Sequence, residues 1–191
     1  MKPLFAWMLA FMISPSTNGN PCIIPSDTAR KPSVTLQDTL MDPMLILMIR
    51  DTAACHDDLG RAFSKDYGEL FTYIGQNDLR PGKLLAQYYT FKSAFIFDVA
   101  VQIDRLPTTT KGRIKINRIN GGNVVIAHYK GPYDQIGMAY SALDYWLEKN
   151  DKAAGGLPFE VYLNDPVTVQ DPYDLRTDIY QLLIDIPHST H

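Results

Sequence analysis

Two stretches of the chain repeat one order of hydrophobic and polar patterns. Each begins with an apolar run of strand character, over 44–51 and over 123–130. After each run, apolar side chains recur at the three- and four-residue spacing of a helix that buries one face. Each predicted helix stops in a polar, glycine-containing segment, at 76–82 and at 150–156. The patterns therefore predict a strand followed by a helix in each half of the chain.

Shorter apolar and alternating runs predict the remaining strands of each half. A leading strand precedes each apolar run, and two strands follow each predicted helix. These strands are 34–40, 84–91 and 96–103 in the first half, and 113–119, 159–163 and 177–184 in the second. The helices also match between the halves at an offset of 77, with Gly60, Ala62, Phe63 and Ser64 corresponding to Gly137, Ala139, Tyr140 and Ser141. The shared order and this match predict a duplication.

The duplication predicts an α+β fold. A single strand–helix–strand–strand module would leave one face of its sheet uncovered, whereas two modules can join their sheets and place a helix of each half behind. We expect the domain to cover 33–184, with halves 33–104 and 112–184 related by a pseudo-two-fold axis. The expected result is an antiparallel sheet with two helices and a central ligand cleft between the halves.

The N-terminal segment 1–19 has the pattern of a secretory signal peptide. Lys2 precedes an apolar run over 4–13, and small and polar residues follow. The run is shorter than the roughly 20 apolar residues that cross a bilayer. We therefore expect no stable membrane insertion after signal removal, and export to the periplasm or beyond. The alternative is a cytoplasmic protein with a frayed apolar N-terminus.

Prolines among polar residues indicate a linker over 20–32, and a short tail follows the last strand over 185–191. In an oxidising compartment Cys22 of the linker could pair with Cys55. Nothing in the sequence positions the two thiols against each other, so two unpaired cysteines are the alternative.

Composition and charge narrow the classes of function. The chain has 191 residues and a net charge of -3, which disfavours a nucleic-acid partner. The histidines and cysteines lack metal-ligand spacing, and no glycine-rich phosphate loop or catalytic triad order is present, so we assign no metal, cofactor or catalytic residue. His128 on its strand is interpreted as a hydrogen-bonded structural residue. The 11 tyrosines are the most distinctive feature of the composition.

Strand alternation predicts which side chains of strand 159–163 line the cleft. We expect the apolar set to face the helix, and Glu160 and Tyr162 to face the cleft. The apolar set is Phe159, Val161 and Leu163.

The last strand adds a second acid to the same predicted face. Asp178 and Tyr180 alternate with core residues on this strand, and Tyr89 of the first half is the counterpart of Tyr162. A carboxylate among tyrosines suits a flat, apolar cation, because aromatic faces attract cations and a carboxylate in a partly dry site needs a positive neighbour. The alternative is that Glu160 and Asp178 lie on solvated strand faces with structural roles.

Several motifs of the second half resemble the GyrI-like family, which includes the effector-binding domains of AraC- and MerR-type multidrug regulators. The similar segments are 128–133, 145–147, 159–166 and 176–180. The Gly131-Pro132-Tyr133 turn opens the second helix, where proline suits the first helical position. The similarity covers about 33–184 and is stronger in the second half.

The resemblance implies a protein that binds amphipathic, often cationic, small molecules through aromatic side chains and a buried acid. It implies Glu160 as the acid, with Asp178 second. The implied aromatic contacts are Tyr162, Tyr180, Tyr133 and Trp146. For Trp146, a place in the helix core is the alternative.

Three functions follow as hypotheses. The first is a stand-alone binding protein for amphipathic small molecules. The second is a hydrolase of electrophilic small molecules, since some GyrI-like proteins resemble such enzymes. The third is a protein-interaction module, which a cleft filled by side chains would favour. No helix-turn-helix pattern precedes the repeat, so we do not expect transcriptional regulation by this chain alone.

Overall fold

The computed structural model describes residues 30–90 and 94–184. In these ranges the chain forms nine strands and two long helices. The strands are β1 (Ser33–Met41), β2 (Met44–Ala53), β3 (Pro81–Thr90), β4 (Phe95–Ile103), β5 (Lys115–Ile119), β6 (Gly122–Lys130), β7 (Ala153–Ala154), β8 (Phe159–Tyr162) and β9 (Arg176–Ile184). The helices are α1 (His56–Gln76) and α2 (Gly137–Lys149), and short 3-10 turns cover Tyr133–Gln135 and Pro172–Asp174. The predicted α+β class is confirmed.

Eight strands follow one antiparallel path in the order β1-β6-β9-β8-β3-β4-β2-β5, and the short β7 pairs with β9. The order is symmetrical about the β3–β8 pair, since β2 and β6, and likewise β4 and β9, occupy matching places. Each leading strand pairs with the opposite half, because β1 lies against β6 and β5 against β2. The halves 33–104 and 112–184 therefore exchange their first strands. The duplication itself stays a prediction.

Two short connections force the sheet to curve. Asp42 and Pro43 join β1 to β2, and residues 120–121 join β5 to β6. In a flat sheet β1 and β2 would lie six strand spacings apart, about 29 Å, whereas three Cα steps reach about 11 Å. The two connections also touch, because a Cβ on Gly121 would lie 2.4 Å from the Met41 carbonyl oxygen. The sheet therefore bends until its two ends approach each other.

The curvature gives the sheet two different buried faces. The helix face packs α1 against side chains such as Leu47 and Phe97, and α2 against Val125 and Ile179. The helix-free face carries a third core on the inside of the bend. Its buried members are Met44, Ile46, Met48, Leu85, Ala100, Val124, Ile126, Phe159, Val161 and Tyr180. No described helix covers this core, so the sheet shields it by its own curvature.

An ion-pair network fixes α1 to the connection between β4 and β5. Arg113 of that connection donates to Asp66 and Glu69 of α1, and to Asp51 of β2 at 3.0 Å. Asp66 is fully buried, and its Oδ2 has no hydrogen-bond partner among the described residues. Burial raises the pKa of Asp66, and the Arg113 guanidinium opposes that rise. The position of α1 therefore depends on an arginine that neutralises a buried acid.

Three sequence predictions fall outside the described residues: the signal peptide 1–19, the tail 185–191 and Cys22 of the linker. Cys55 is free and exposed, and its thiol donates to Asp58 Oδ2 at 3.3 Å. Within the part of the chain that the structure describes, neither helix combines the length and the hydropathy needed to cross a membrane.

Candidate functional site

Glu160 occupies the centre of the sheet on the helix face. It lies on β8 directly opposite Ala86 of β3, whose small side chain leaves room beside the carboxylate. Tyr140 of α2 donates its hydroxyl to Glu160 Oε1 at 2.8 Å. Tyr162, two residues along β8, donates to Oε2 at the same distance of 2.8 Å. Both carboxylate oxygens are thus bonded by tyrosine hydroxyls from two different elements.

The environment of Glu160 is dry and lacks a positive charge. The residue is 4% exposed, and no Lys, Arg or His of the described residues forms an ion pair with it. Burial raises the pKa of Glu160, and the hydrogen bonds from Tyr140 and Tyr162 oppose that rise. An ionised carboxylate in such a place is costly unless a cation neutralises it. An ionised Glu160 would therefore lack a positive partner in this site.

Tyrosines from five different elements surround the acid. We call them the tyrosine cluster: Tyr67 of α1, Tyr88 of β3, Tyr133 of the first 3-10 turn, Tyr140 of α2 and Tyr162 of β8. Tyr67 donates to the Leu85 carbonyl oxygen at 2.6 Å, and the Tyr133 and Tyr162 rings meet edge to face at 6.0 Å. Burial raises the pKa of each tyrosine, and the nearby Glu160 charge adds to the rise. Their hydroxyl groups therefore stay protonated and able to donate.

The structure brings three of the predicted site residues together, namely Glu160, Tyr162 and Tyr133. The side of the sheet on which the β8 side chains lie differs from the prediction. Glu160 and Tyr162 point to the helix side, whereas Phe159 and Val161 pack in the core of the helix-free face. The prediction that this apolar pair faces a helix is wrong, because the curved sheet, and no helix, buries it. Leu163 lies beyond the end of β8 and is 47% exposed.

Asp178 lies on the opposite face from Glu160. Its Oδ1 is 2.7 Å from Nδ1 of His128, and Nε2 of that histidine is 3.0 Å from the Gln37 side-chain oxygen. The expectation that both acids share one cleft is therefore wrong. His128 links β6 to β1 and β9, as the structural interpretation of this residue predicted.

Tyr89 and Tyr180 also lie on the helix-free face. Tyr89 donates to Asp98 Oδ2 at 2.7 Å, and the guanidinium of Arg50 lies 4.1 Å above its ring. Tyr180 stacks on Phe159 with ring centroids 5.1 Å apart. The expectation that Tyr89 and Tyr180 join Glu160 in one cleft is wrong, because alternation sends their side chains to the other side of the sheet.

Trp146 packs into the apolar core between α2 and the sheet. This placement matches the alternative of a helix-core tryptophan. It packs against a buried cluster that includes Val125, Leu143 and Ile179.

Sequence reasoning missed Tyr67, Tyr88 and Tyr140 as neighbours of Glu160. Tyr67 and Tyr140 are members of the apolar stripes of their helices, where an aromatic residue predicts core packing. Tyr88 adjoins the expected Tyr89, and a shift of one residue along a strand moves a side chain to the other face. The β3–β4 register is irregular between Tyr88 and Thr90, so no constant offset between the halves identifies the correct tyrosine.

The expected open cleft is filled at Glu160. The tyrosine cluster encloses the carboxylate, and the half-buried Tyr133 contributes to its cover from the turn that precedes α2. Among the described residues no group of three or more histidine, cysteine or acidic side chains could hold a metal ion. The chemistry available at the site is that of one buried carboxylate, phenolic hydroxyl donors and aromatic faces.

Comparisons with known proteins extend the description. A family model described as the GyrI-like small molecule binding domain matches residues 40–183. The crystal structure of the EcmrR C-terminal domain is similar over 81% of this chain and 99% of that chain, with a TM-score of 0.62 and 19% identity. EcmrR in a complex with DNA is 20% identical, with a TM-score of 0.62 over 81% of this chain. The present chain spans 58% of that EcmrR chain.

A hydrolase from Listeria innocua is also similar, with 13% identity, a TM-score of 0.58 and coverage of 78% of this chain and 91% of that chain. At such identities these structures show a shared fold. The search of curated proteins found no match.

Proposed function

Since the chain belongs to the GyrI-like small molecule binding domain family, whose model matches residues 40–183, we propose that it binds amphipathic cations at Glu160. The observation that carries this proposal is a buried carboxylate, bonded by two tyrosine hydroxyls, that has no basic partner among the described residues. A ligand with a positive centre supplies the charge that the site lacks.

The electrostatic part of the proposal follows from the cost of burial. Glu160 can keep a proton, which removes its charge, or it can ionise beside a cation. A ligand cation stabilises the ionised form, and the low local dielectric strengthens the attraction. An apolar cation suits the site better than a strongly hydrated one, because less hydration is lost on entry.

The aromatic part of the proposal comes from the tyrosine cluster. A cation near the face of a tyrosine ring gains about 0.5–2 kcal/mol per ring, and the larger values occur in dry sites. The rings around Glu160 also supply apolar area for the body of the ligand. Charge and aromatic area together favour a flat or multi-ring cation.

A ligand can reach Glu160 only if the turn at residues 131–133, which we call the cover of the site, moves. Tyr133 is half-buried on a short turn, and Gly131 before it has a φ of +154°, in the region that favours glycine. A hydrogen bond from Tyr129 to the Pro132 carbonyl oxygen, at 2.7 Å, holds this turn to the sheet. We propose that the ligand displaces the turn at Tyr133, because this segment carries few buried side chains.

Replacing Glu160 with glutamine should weaken the binding of tetraphenylphosphonium by about 10- to 100-fold, which corresponds to losing one to two pKa units of differential interaction. Glutamine keeps the size of the side chain. Its oxygen can accept from one tyrosine hydroxyl and its amide group can donate to the other, so the fold should be retained. Isothermal titration calorimetry measures the affinity, and circular dichroism checks the fold. The matched control is Asp178→Asn on the opposite face of the sheet, which should bind like the wild-type protein. Equal affinities of Glu160→Gln and wild type would contradict the proposal.

The affinity of the wild-type protein for the same cation should rise with pH. The pKa of Glu160 is raised in the ligand-free protein, so at low pH the binding cation must displace a proton. The affinity should therefore rise by up to tenfold per pH unit below this pKa and level off above it. Glu160→Gln should give a flat profile in the same titrations, since no proton is exchanged. A flat wild-type profile would exclude Glu160 as the counter-charge.

The other two hypotheses predict different results from the same protein. A hydrolase would convert an electrophilic substrate such as an activated ester, and Glu160→Gln would abolish product formation; the shared fold with the Listeria innocua hydrolase makes this assay worthwhile. A protein-interaction module, which the filled cleft favours, would bind no cation at Glu160, because the turn that covers the acid would stay closed. Saturable cation binding without turnover supports the proposed function over both.

A further inference from the structure

A buried hydroxyl without a partner lies close to Glu160. Thr177 of β9 is fully buried, and its Oγ1 has no hydrogen-bond partner within residues 30–90 and 94–184. It stands directly between Tyr129 of β6 and Tyr162 of β8 in the strand ladder, on the helix face. This hydroxyl is a second polar group in the same region as the buried acid.

The hydroxyl has no evident structural purpose in the ligand-free protein. A buried polar group that makes no hydrogen bond destabilises a fold. Valine has the same branched shape and suits a central strand equally well, without an unsatisfied oxygen. A threonine at position 177 is thus the less favourable choice for stability alone, which points to a use in another state of the protein.

The surroundings of Thr177 connect it to the cover of the site. Both of its cross-strand neighbours contact the turn at residues 131–133: Tyr129 bonds the Pro132 carbonyl oxygen at 2.7 Å, and Tyr162 packs against Tyr133. Glu160 lies one strand over and two residues along, about 8 Å from Thr177 between backbone positions. A ligand that displaces this turn to reach Glu160 therefore also reaches the Thr177 hydroxyl.

We propose that Thr177 Oγ1 forms a hydrogen bond with a second polar group of the ligand. The site then selects amphipathic cations that carry an uncharged hydroxyl, ether or carbonyl group on the apolar body, a few bonds away from the cationic centre. A hydroxyl can donate or accept, so each of these groups is suitable. This proposal rests on the proposed function and names the class of ligand within it.

The test compares three probes on matched variants. The probes are the tetraphenylphosphonium ion and two derivatives of it. In each derivative one ring carries a hydroxymethyl group, at the meta position in one and at the para position in the other. Calorimetry on the wild-type protein should give about 3- to 10-fold tighter binding for one hydroxymethyl probe than for tetraphenylphosphonium. Thr177→Val should remove this preference, so that the hydroxymethyl probes bind no more tightly than tetraphenylphosphonium. Thr177→Ser, which keeps the hydroxyl, should keep the preference.

Thermal unfolding of the ligand-free proteins separates this role from a structural one. Thr177→Val should melt at the same temperature as the wild type or higher, whereas a structural hydroxyl would make it melt lower. A wild-type protein without any preference, or a preference that Thr177→Val retains, would overturn the proposal. If tetraphenylphosphonium binding depends on Glu160 while the preference is absent, this inference alone fails. If that binding does not depend on Glu160, the proposed function fails first.

Discussion

Replacing Arg113 with methionine should lower the free energy of unfolding by about 3–5 kcal/mol. The arginine is the main counter-charge of Asp66, a fully buried carboxylate with one oxygen already unpartnered among the described residues. Without Arg113 the carboxylate must either stay charged in a dry place or take up a proton, and both cost stability. Urea unfolding followed by circular dichroism measures the loss.

The loss of stability in the Arg113 variant should become smaller as the pH falls. Burial raises the pKa of Asp66, so the folded variant holds a proton more tightly than the unfolded chain does. The deficit of the variant should therefore be largest at neutral pH and shrink as the pH falls and Asp66 becomes neutral.

Two further variants make the Arg113 experiment specific. Arg61→Met removes an arginine from the surface of α1, the helix that carries Asp66. The pair of Arg61 with Asp58 is exposed, so this variant should lower the free energy of unfolding by only about 0–1 kcal/mol. The double variant Asp66→Leu with Arg113→Met should recover most of the loss, because an apolar pair of similar size replaces the buried charges. A loss of less than 1 kcal/mol in the single variant would show that Asp66 does not depend on the arginine.

Replacing Gly121 with alanine should lower the free energy of unfolding by about 3 kcal/mol or more, which is the upper end of the range by which overpacking usually destabilises a protein. The added Cβ would lie 2.4 Å from the Met41 carbonyl oxygen and 2.8 Å from the Pro43 nitrogen. Both contacts are with backbone atoms, so no side-chain rotation relieves them. The two short connections would have to separate, which opposes the curvature of the sheet. Urea unfolding is again the measurement.

The control for this variant lies in α1. A Cβ on Gly68 meets no atom within 4 Å. Gly68→Ala should therefore stabilise the protein by roughly 0.5–1 kcal/mol, because alanine is the better helix former. If both variants change stability by similar small amounts, the close approach at Gly121 has no energetic importance.

Local patterns were sufficient for much of the fold. Helical spacing identified α1 and α2, and apolar runs identified β2 and β6, since both signals depend only on neighbouring residues. The bend of the sheet was not predictable in this way, because it comes from consecutive strands that are joined by two-residue connections but lie six places apart in the sheet. The exchange of β1 and β5 between the halves has the same origin.

In the candidate site, too, local patterns predicted some features, and others depended on strand pairing. Alternation correctly placed Glu160 and Tyr162 on one face, but a period of two does not say which face meets a helix. Asp178 carries no local signal that distinguishes it from Glu160. Its partner His128 is 50 residues away and meets it only through the β6–β9 register. Tyr88 and Tyr89 differ by one position, so their assignment depends on the exact pairing of β3 with β4.

The place of β9 in the sheet has a consequence for synthesis on the ribosome. β9 is the last of the described strands to be made, yet it lies between β6 and β8 and bonds to both. Until residue 184 leaves the exit tunnel, β6 and the nascent β8 each present an unpaired edge, and the acid on β8 has no enclosed site. During this interval β2, β3 and β4 of the first half can pair with one another, and β5 can pair with β2 once it emerges. The domain therefore closes only after β9 has emerged, and open strand edges of this kind favour the help of a chaperone until then.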